Sequence, residues 1–281
     1  MTAVVSKLLR RTIRHYQHGS FEGRRVVVTG GAGAIGRALI RGGLPPQGGI
    51  WSAIDLPMAY DAIGTDILNY DALRSTLEGH KADVVIHAAA NKHAPEGEVY
   101  PFPVADLNIR GTEHVVNACR ELGIETLVFL STCKAAQPET VYGASKLVGE
   151  RIILNAGGTV ARLYNVVESS RNVFKIWEDA TAKGEPCQVV QARRRFTHLG
   201  EAREFILSCC ERPPGRYVPY SESHWMGQIH MNWLREHASA NTGTVVAPLR
   251  RGDREIEPIW AKHEFGFPNA DGSYRVTGPH D

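Results

Sequence analysis

From Arg24 onward, short apolar runs alternate with stretches of helical period. RRVVVTG, GIWSAID, ADVVIHAAA and TLVFLST read as strands, while GAIGRALIRGG, a segment near 104–122 and a segment from about Val141 to Asn155 read as helices. Near-continuous apolar strands separated by helices predict an α/β fold, a doubly wound parallel sheet covered on both faces. Only LPMAYDAIGT lies between Asp55 and Asp66. A parallel crossover takes about a dozen residues or more, so this connection is expected to be shortened, or the edge strand irregular. After about residue 166 the pattern loosens, with Pro213-Pro214-Gly215 and a Gly/Pro-rich tail from Phe265. The predicted organisation is an amphipathic helix within 1–20, a main domain at 21–165, and a small C-terminal lobe at 166–281 with segments returning to the main domain.

In the N-terminal segment, Val4, Val5, Leu8, Leu9 and Ile13 form one helical stripe, with Lys7, Arg10, Arg11 and Arg14 elsewhere. Such a helix suits an anionic membrane surface or a packing face on its own domain or a partner subunit. Composition narrows the partners. Thirty-two Lys+Arg against 30 Asp+Glu give no bulk charge that argues for nucleic acid, and the Trp and Tyr residues are scattered without a base-stacking pattern. No apolar stretch approaches the ~20 residues of a membrane helix, so no integral membrane segment is expected, and the N-terminus lacks the apolar core of a secretory signal. Five cysteines without C-x-x-C spacing suggest neither a disulfide framework nor a zinc site, and no metal is expected. A reducing, cytoplasmic setting is the expectation.

Val26-Val27-Val28-Thr29-Gly30-Gly31-Ala32-Gly33-Ala34-Ile35-Gly36 is a strand, a glycine turn and a helix start. The spacing of Gly30, Gly33 and Gly36 lets backbone N–H groups and a helix N-terminus approach a pyrophosphate. Asp55, ending the next strand, stands where a carboxylate accepts from the adenosine ribose hydroxyls, which favours NAD over NADP. Asp66 and Ile67 are candidate adenine contacts, though a plain surface Asp fits equally. Ala88, Ala89 and Ala90, closing the HAAA strand end, are candidate cofactor contacts.

Tyr142 and Lys146, at i and i+4, share one helix face. A phenol with an ordinary pKa of ~10 is a poor base at neutral pH, and a nearby ammonium would favour the phenolate. Thr132, at the end of TLVFLST, can hydrogen-bond the same substrate oxygen.

With these features the chain resembles the extended short-chain dehydrogenase/reductase family, with its Rossmann-like fold, and within it the inverting nucleotide-sugar 4,6-dehydratases of the polysaccharide-biosynthesis type. The residues that carry the resemblance are TGGAGAIG (29–36), HAAANKHAPEGEVYP (87–101), NIRGT (108–112), STCKAAQP (131–138), YGASK (142–146), RLYNVV (162–167), RRFTHLGEA (194–202) and RRGDREIE (250–257). The resemblance implies an NAD-dependent enzyme in which Tyr142, with Lys146 and Thr132, takes the 4-hydroxyl proton while hydride leaves C4. Lys134 would then remove the C5 proton, water would leave C6, and hydride would return to C6 (4,6-dehydratase) or C4 (5,6-dehydratase). It implies further that Lys92 and His93 approach the nicotinamide ribose or the sugar, although a structural His fits position 93 equally. Asn165 would face the sugar or diphosphate. Arg194 and Arg250 would clamp the diphosphate of a substrate such as UDP-N-acetylglucosamine, with the register of the 193–195 arginine run open. The helices at 104–122 and 141–155 would pair with their twins in a homodimer or larger homo-oligomer.

One position departs from the family pattern. Cys133 stands where the family writes Asp, as in some 5,6-dehydratases, and a protonated thiol there would be the acid for the leaving hydroxyl. Loss of elimination, leaving an epimerase, is the alternative, and a non-catalytic NAD-binding scaffold is a third reading that the intact Thr132, Tyr142 and Lys146 oppose.

Overall fold

The computed structural model describes residues 14–41, 48–59, 62–169, 172–237, 243–249 and 254–279. The three consecutive valines of β1 (Arg25–Thr29) show how the sheet is built. Val26 and Val28 enter one core cluster with Leu39, Phe205 and Ile206, while Val27 enters another with Leu73, Leu77, Val115 and Phe129. Alternate side chains leave opposite faces of a strand, so apolar residues at successive positions require cover on both sides. Helices α1 (Ala34–Arg41), α2 (Tyr70–Gly79), α5 (Gly111–Glu121), α6 (Val141–Asn155) and α8 (Leu199–Cys209) contribute that cover.

With β2 (Ile50–Asp55), β3 (Ile63–Gly64), β4 (Val84–His87), β5 (Thr126–Thr132), β6 (Thr159–Leu163), β10 (Gly215–Val218), β13 (Phe265–Pro268) and β14 (Tyr274–Thr277), the nine-stranded sheet has the order β13-β14-β10-β6-β5-β4-β1-β2-β3. Pairing is parallel from β3 through β10, and antiparallel between β10 and β14 and between β14 and β13. The predicted Rossmann-like α/β class is the observed one. The short 56–62 connection leads to a β3 of two residues.

The remaining strands, β7 (Asn165–Val166), β8 (Cys187–Val190), β9 (Arg193–Thr197), β11 (Ser223–Trp225) and β12 (Thr244–Ala247), form two small sheets, β11-β9-β7 and β12-β8. Phe174 and Trp177 of α7 (Val173–Ala182) and Ile229 and Trp233 of α9 (Met226–His237) form the core of this part, with Phe196.

The expected N-terminal helix falls mostly on residues 1–13, which lie outside the described residues, and residues 14–20 are not helical. Tyr16 is pinned in the core against Phe205, ring centroids 5.1 Å apart, and Phe21 against Trp51, which ties the segment to the domain. The helix near 104–122 is not uniform. After α3 (Ala94–Val99) and α4 (Pro101–Ala105), residues Asp106–Arg110 form a π-helical turn before α5. Such turns are frequent at functional sites. Here the turn buries Asn108, whose Oδ1 accepts from Asn91 N–H (2.9 Å) and whose Nδ2 donates to the Asn91 carbonyl and to Ser145 Oγ, both at 3.0 Å.

Candidate active site

Strand β1 lies between β2 and β4, so the crossovers leave it in opposite directions. Crevices of open α/β sheets form beyond the carboxyl ends of the strands at such a point. A cavity of about 1650 Å³ occupies that position.

Its first wall is the glycine turn. Gly30 has φ +68°, and a Cβ there would lie 2.7 Å from Ala89 N; a Cβ at Gly36 would lie 2.5 Å from the Gly30 carbonyl oxygen. Both positions exclude a side chain. Gly33 N–H donates to that carbonyl (3.0 Å), which tightens the turn, and α1 starts immediately after it. Gly30, Gly33, Ala34, Ile35 and Gly36 all line the cavity. Asp55 lines it too, with Oδ2 accepting from Ala32 N–H at 2.9 Å. The carboxylate therefore braces the turn and still borders the space beside it. Asp66, Ile67, Ala88, Ala89 and Ala90 continue this wall, and Lys92 and His93 follow.

The opposite wall is built by β5 and α6. Thr140 caps α6 by accepting from Gly143 N–H at 3.1 Å, and Asn108 ties Ser145 of this helix to the loop after β4. Thr132, Lys134, Tyr142 and Lys146 all line the cavity. Burial pushes the Tyr142 phenol up, against the Lys134 ammonium and a Thr132 hydrogen bond, which both favour the phenolate. Lys146 is itself 2% exposed, and burial pulls its pKa down to about 7 against the support of Glu150. Its Nζ rests 3.8 Å from the Phe129 ring centroid. His87, beneath, is a structural histidine; its ring nitrogens bond Thr29 (2.7 Å) and Thr112 (3.0 Å).

Cys133 does not line the cavity. Its side chain is 1% exposed and turned to Glu257, Sγ to Oε2 3.6 Å, and burial with that carboxylate pushes the thiol up to about 12. The thiol that would serve the leaving group thus lies behind the wall. A residue the motifs did not single out occupies the centre of this region. Glu257, 6% exposed, accepts from Lys134 Nζ (2.6 Å) and Asn165 Nδ2 (3.0 Å). Its signal was a Glu at the end of RRGDREIE, without any local feature to join it to Lys134. Asn165 and Arg194 line the cavity as expected. The Arg194 guanidinium also donates to the backbone carbonyls of Arg193 (2.9 Å) and Arg254 (2.8 Å). Arg250 lies outside the described residues.

The profile of the family described as polysaccharide biosynthesis protein matches residues 53–265, which begin after the glycine turn and take in Asp55 and the β5–α6 wall. The chain belongs to that family. It is 30% identical over 219 residues to the inverting UDP-N-acetylglucosamine 4,6-dehydratase of Campylobacter jejuni subsp. jejuni serotype O:23/36 (strain 81-176), covering 69% of this chain and 66% of that one. It spans just under two thirds of the length of such curated relatives (64–66%). Among solved structures, Pen from Bacillus thuringiensis superposes with a TM-score of 0.82 at 22% identity, covering 92% of this chain and 88% of that one. The Bordetella bronchiseptica enzyme WbmG, in complex with NAD and UDP, superposes with a TM-score of 0.70 at 22% identity, covering 83% and 84%. These likenesses show a shared fold. Among the described residues no helix is long and apolar enough to cross a membrane, and no group of three His, Cys, Asp or Glu could hold a metal ion.

Proposed function

We propose that this chain is an NAD-dependent nucleotide-sugar dehydratase. The observation that carries the reading is the convergence of Thr132, Lys134, Tyr142 and Lys146 on one wall of a cavity whose other wall is the glycine turn. The turn fits NAD, because side-chain-free positions at Gly30 and Gly36 let its backbone approach a pyrophosphate at the start of α1. Asp55 would accept from the adenosine ribose hydroxyls, Asp66 and Ile67 would border the adenine, and Lys146 would hold the nicotinamide ribose. When bound there, NAD would supply reversible hydride chemistry for the oxidation at C4.

The residues of the chain move the protons. Tyr142, hydrogen-bonded with Thr132, takes the 4-hydroxyl proton as C4 is oxidised. The resulting ketone acidifies C5–H, Lys134 is the base that removes that proton, and loss of the 6-hydroxyl as water completes the elimination. Asn165 and Arg194 line the part of the cavity beyond Lys134 and suit a sugar and a diphosphate. UDP-N-acetylglucosamine is the first substrate to offer, in line with the C. jejuni relative.

The test is mass spectrometry of nucleotide sugars incubated with the protein and NAD. Loss of one water supports the reading, an isobaric product identifies an epimerase, and no product with any sugar leaves the scaffold reading. A substrate carrying deuterium at C4 separates the two hydride destinations, the label moving to C6 in one and returning to C4 in the other. The exposed Val99, Tyr100, Phe102 and Val148, at the ends of α3 and α4 and on α6, suit a homodimer face, which sedimentation would test.

A further inference from the structure

A lysine that removes a carbon-bound proton must first lose its own. Lys134 is poorly placed to do so alone. Its Nζ lies 2.6 Å from Glu257 Oε1, and although burial disfavours the ammonium, that carboxylate more than reverses the effect. Glu257 reaches Lys134 from 123 positions away in the chain. It is held by Asn165 Nδ2 at 3.0 Å and Arg194 Nε at 3.5 Å, with Cys133 Sγ 3.6 Å from its other oxygen. Lys134 lines the cavity, whereas Glu257 stands directly behind it. The titratable and charged groups facing this pair are Cys133 beside it in the chain, Tyr142 from α6 and Arg194 from β9.

We propose that Glu257 is a positioning residue that exchanges a proton with Lys134, so that one amine serves first as the base at C5 and then as the acid at the 6-hydroxyl. The proposal rests on the dehydratase reading. In the resting pair Lys134 is an ammonium and Glu257 a carboxylate. Transfer of one proton gives a free amine and a carboxylic acid. The amine takes the C5 proton, and the electron pair of that C–H bond passes into the enolate of the 4-ketone. The new ammonium then gives its proton to the 6-oxygen, the C6–O bond breaks, the enolate electrons form the C5–C6 double bond, and water leaves. Glu257 returns its proton to Lys134 and the pair is restored. Cys133 cannot take the ammonium proton in place of Glu257, because its thiol is already protonated and donates to the same carboxylate.

Glu257→Gln keeps the size and shape but cannot take up and return a proton. With the nucleotide sugar that the wild type dehydrates, it is expected to lower kcat for water loss by about 10²–10⁴-fold, the range for loss of a proton-transfer group. KM should change little, and transient NADH absorbance should still report oxidation at C4. The residual rate should rise with pH as solvent deprotonates Lys134, where the wild type is flat, and Glu257→Asp should restore part of the rate. Dehydration by Glu257→Gln within about threefold of wild type, or with an unchanged pH profile, overturns the proposal, since a factor of three is far below a general-acid effect. Equal losses in the Gln and Asp variants that melt like wild type also overturn it. Lys134→Arg tests the same step independently of how the Glu257 variants fold: it keeps the ion pair, but a guanidinium does not give up its proton, so measurable dehydration in that variant overturns the proposal. A wild type that yields only isobaric products overturns the dehydratase reading and this proposal together, whereas normal wild-type dehydration with an unaffected Gln variant overturns only the role of Glu257.

Discussion

Replacing Glu150 by Gln removes one charge from a group of four that is sealed from water. Glu150 on α6 accepts from Arg162 Nη2 (2.6 Å) and Nε (2.9 Å), Arg216 Nε (2.8 Å) and Ser131 Oγ (2.5 Å). Glu264 completes the group, 2.9 Å from Arg162 and 3.1 Å from Arg216. None of the four side chains is more than 1% exposed. With Gln at 150, two buried guanidiniums face a single carboxylate. Breaking a buried pair by removing one partner costs about 3–5 kcal/mol, a large share of a typical stability of about 5–15 kcal/mol. At about 2–4 °C per kcal/mol for a chain of this size, melting should fall by roughly 6–20 °C. The cost should depend on pH with a definite sign. Burial would raise the Glu150 carboxyl, but Arg162, Arg216 and Ser131 outweigh it and hold it below its ordinary 4.5. A depressed carboxylate contributes stability above its unfolded-state value and loses it as pH falls through the folded-state value. The wild-type advantage should therefore be full at neutral pH and shrink in acid. Thermal melts of both proteins at pH 7 and in acid measure this. A Gln variant melting within about 2 °C of wild type at pH 7, under 1 kcal/mol by the same conversion, would refute the claim that the four charges are coupled.

Tyr142→Phe should abolish turnover by about 10²–10⁴-fold or more while leaving the melt and NAD binding near wild type; substantial product formation would remove the phenol from the mechanism. Asp55→Ala should weaken NAD relative to NADP if, as proposed, the carboxylate takes the ribose hydroxyls and repels a 2′-phosphate, and it should also loosen the turn through loss of the Ala32 bond. Calorimetric titration with both nucleotides decides, an unchanged preference counting against the assignment. All five cysteines are buried and free, and burial pushes Cys119, Cys133 and Cys209 up to about 12. Native protein at mildly alkaline pH should therefore react slowly with a thiol reagent, and denatured protein with five equivalents. Rapid native labelling of Cys133, identified by peptide mapping, would mean that its thiol faces the cavity.

The features readable before any fold is known are local ones. Val26, Val27 and Val28 demanded a strand covered on both faces, the glycines at 30, 33 and 36 demanded a side-chain-free turn before a helix, and Tyr142 and Lys146 shared a face because a helix repeats every 3.6 residues. Each is settled within a few residues, where strand and helix periods hold. The π-helical turn that buries Asn108 was not legible, because NIRGT keeps a helical composition and only the contacts with Asn91 and Ser145 select the wider turn. The same holds for the charges. No local pattern joins Glu150, Arg162, Arg216 and Glu264, which β6, β10 and the segment before β13 bring together behind α6. Cys133 read as facing the substrate from its place in a motif, and the tertiary structure turned it away. The deciding contact is Glu257 on Lys134, made across 123 positions by the order of strands and the return of the chain past β9. Periodicity carries no information about such a contact, because it depends on which segments the sheet places side by side and on the stability that two opposite charges gain when neither is left alone out of water.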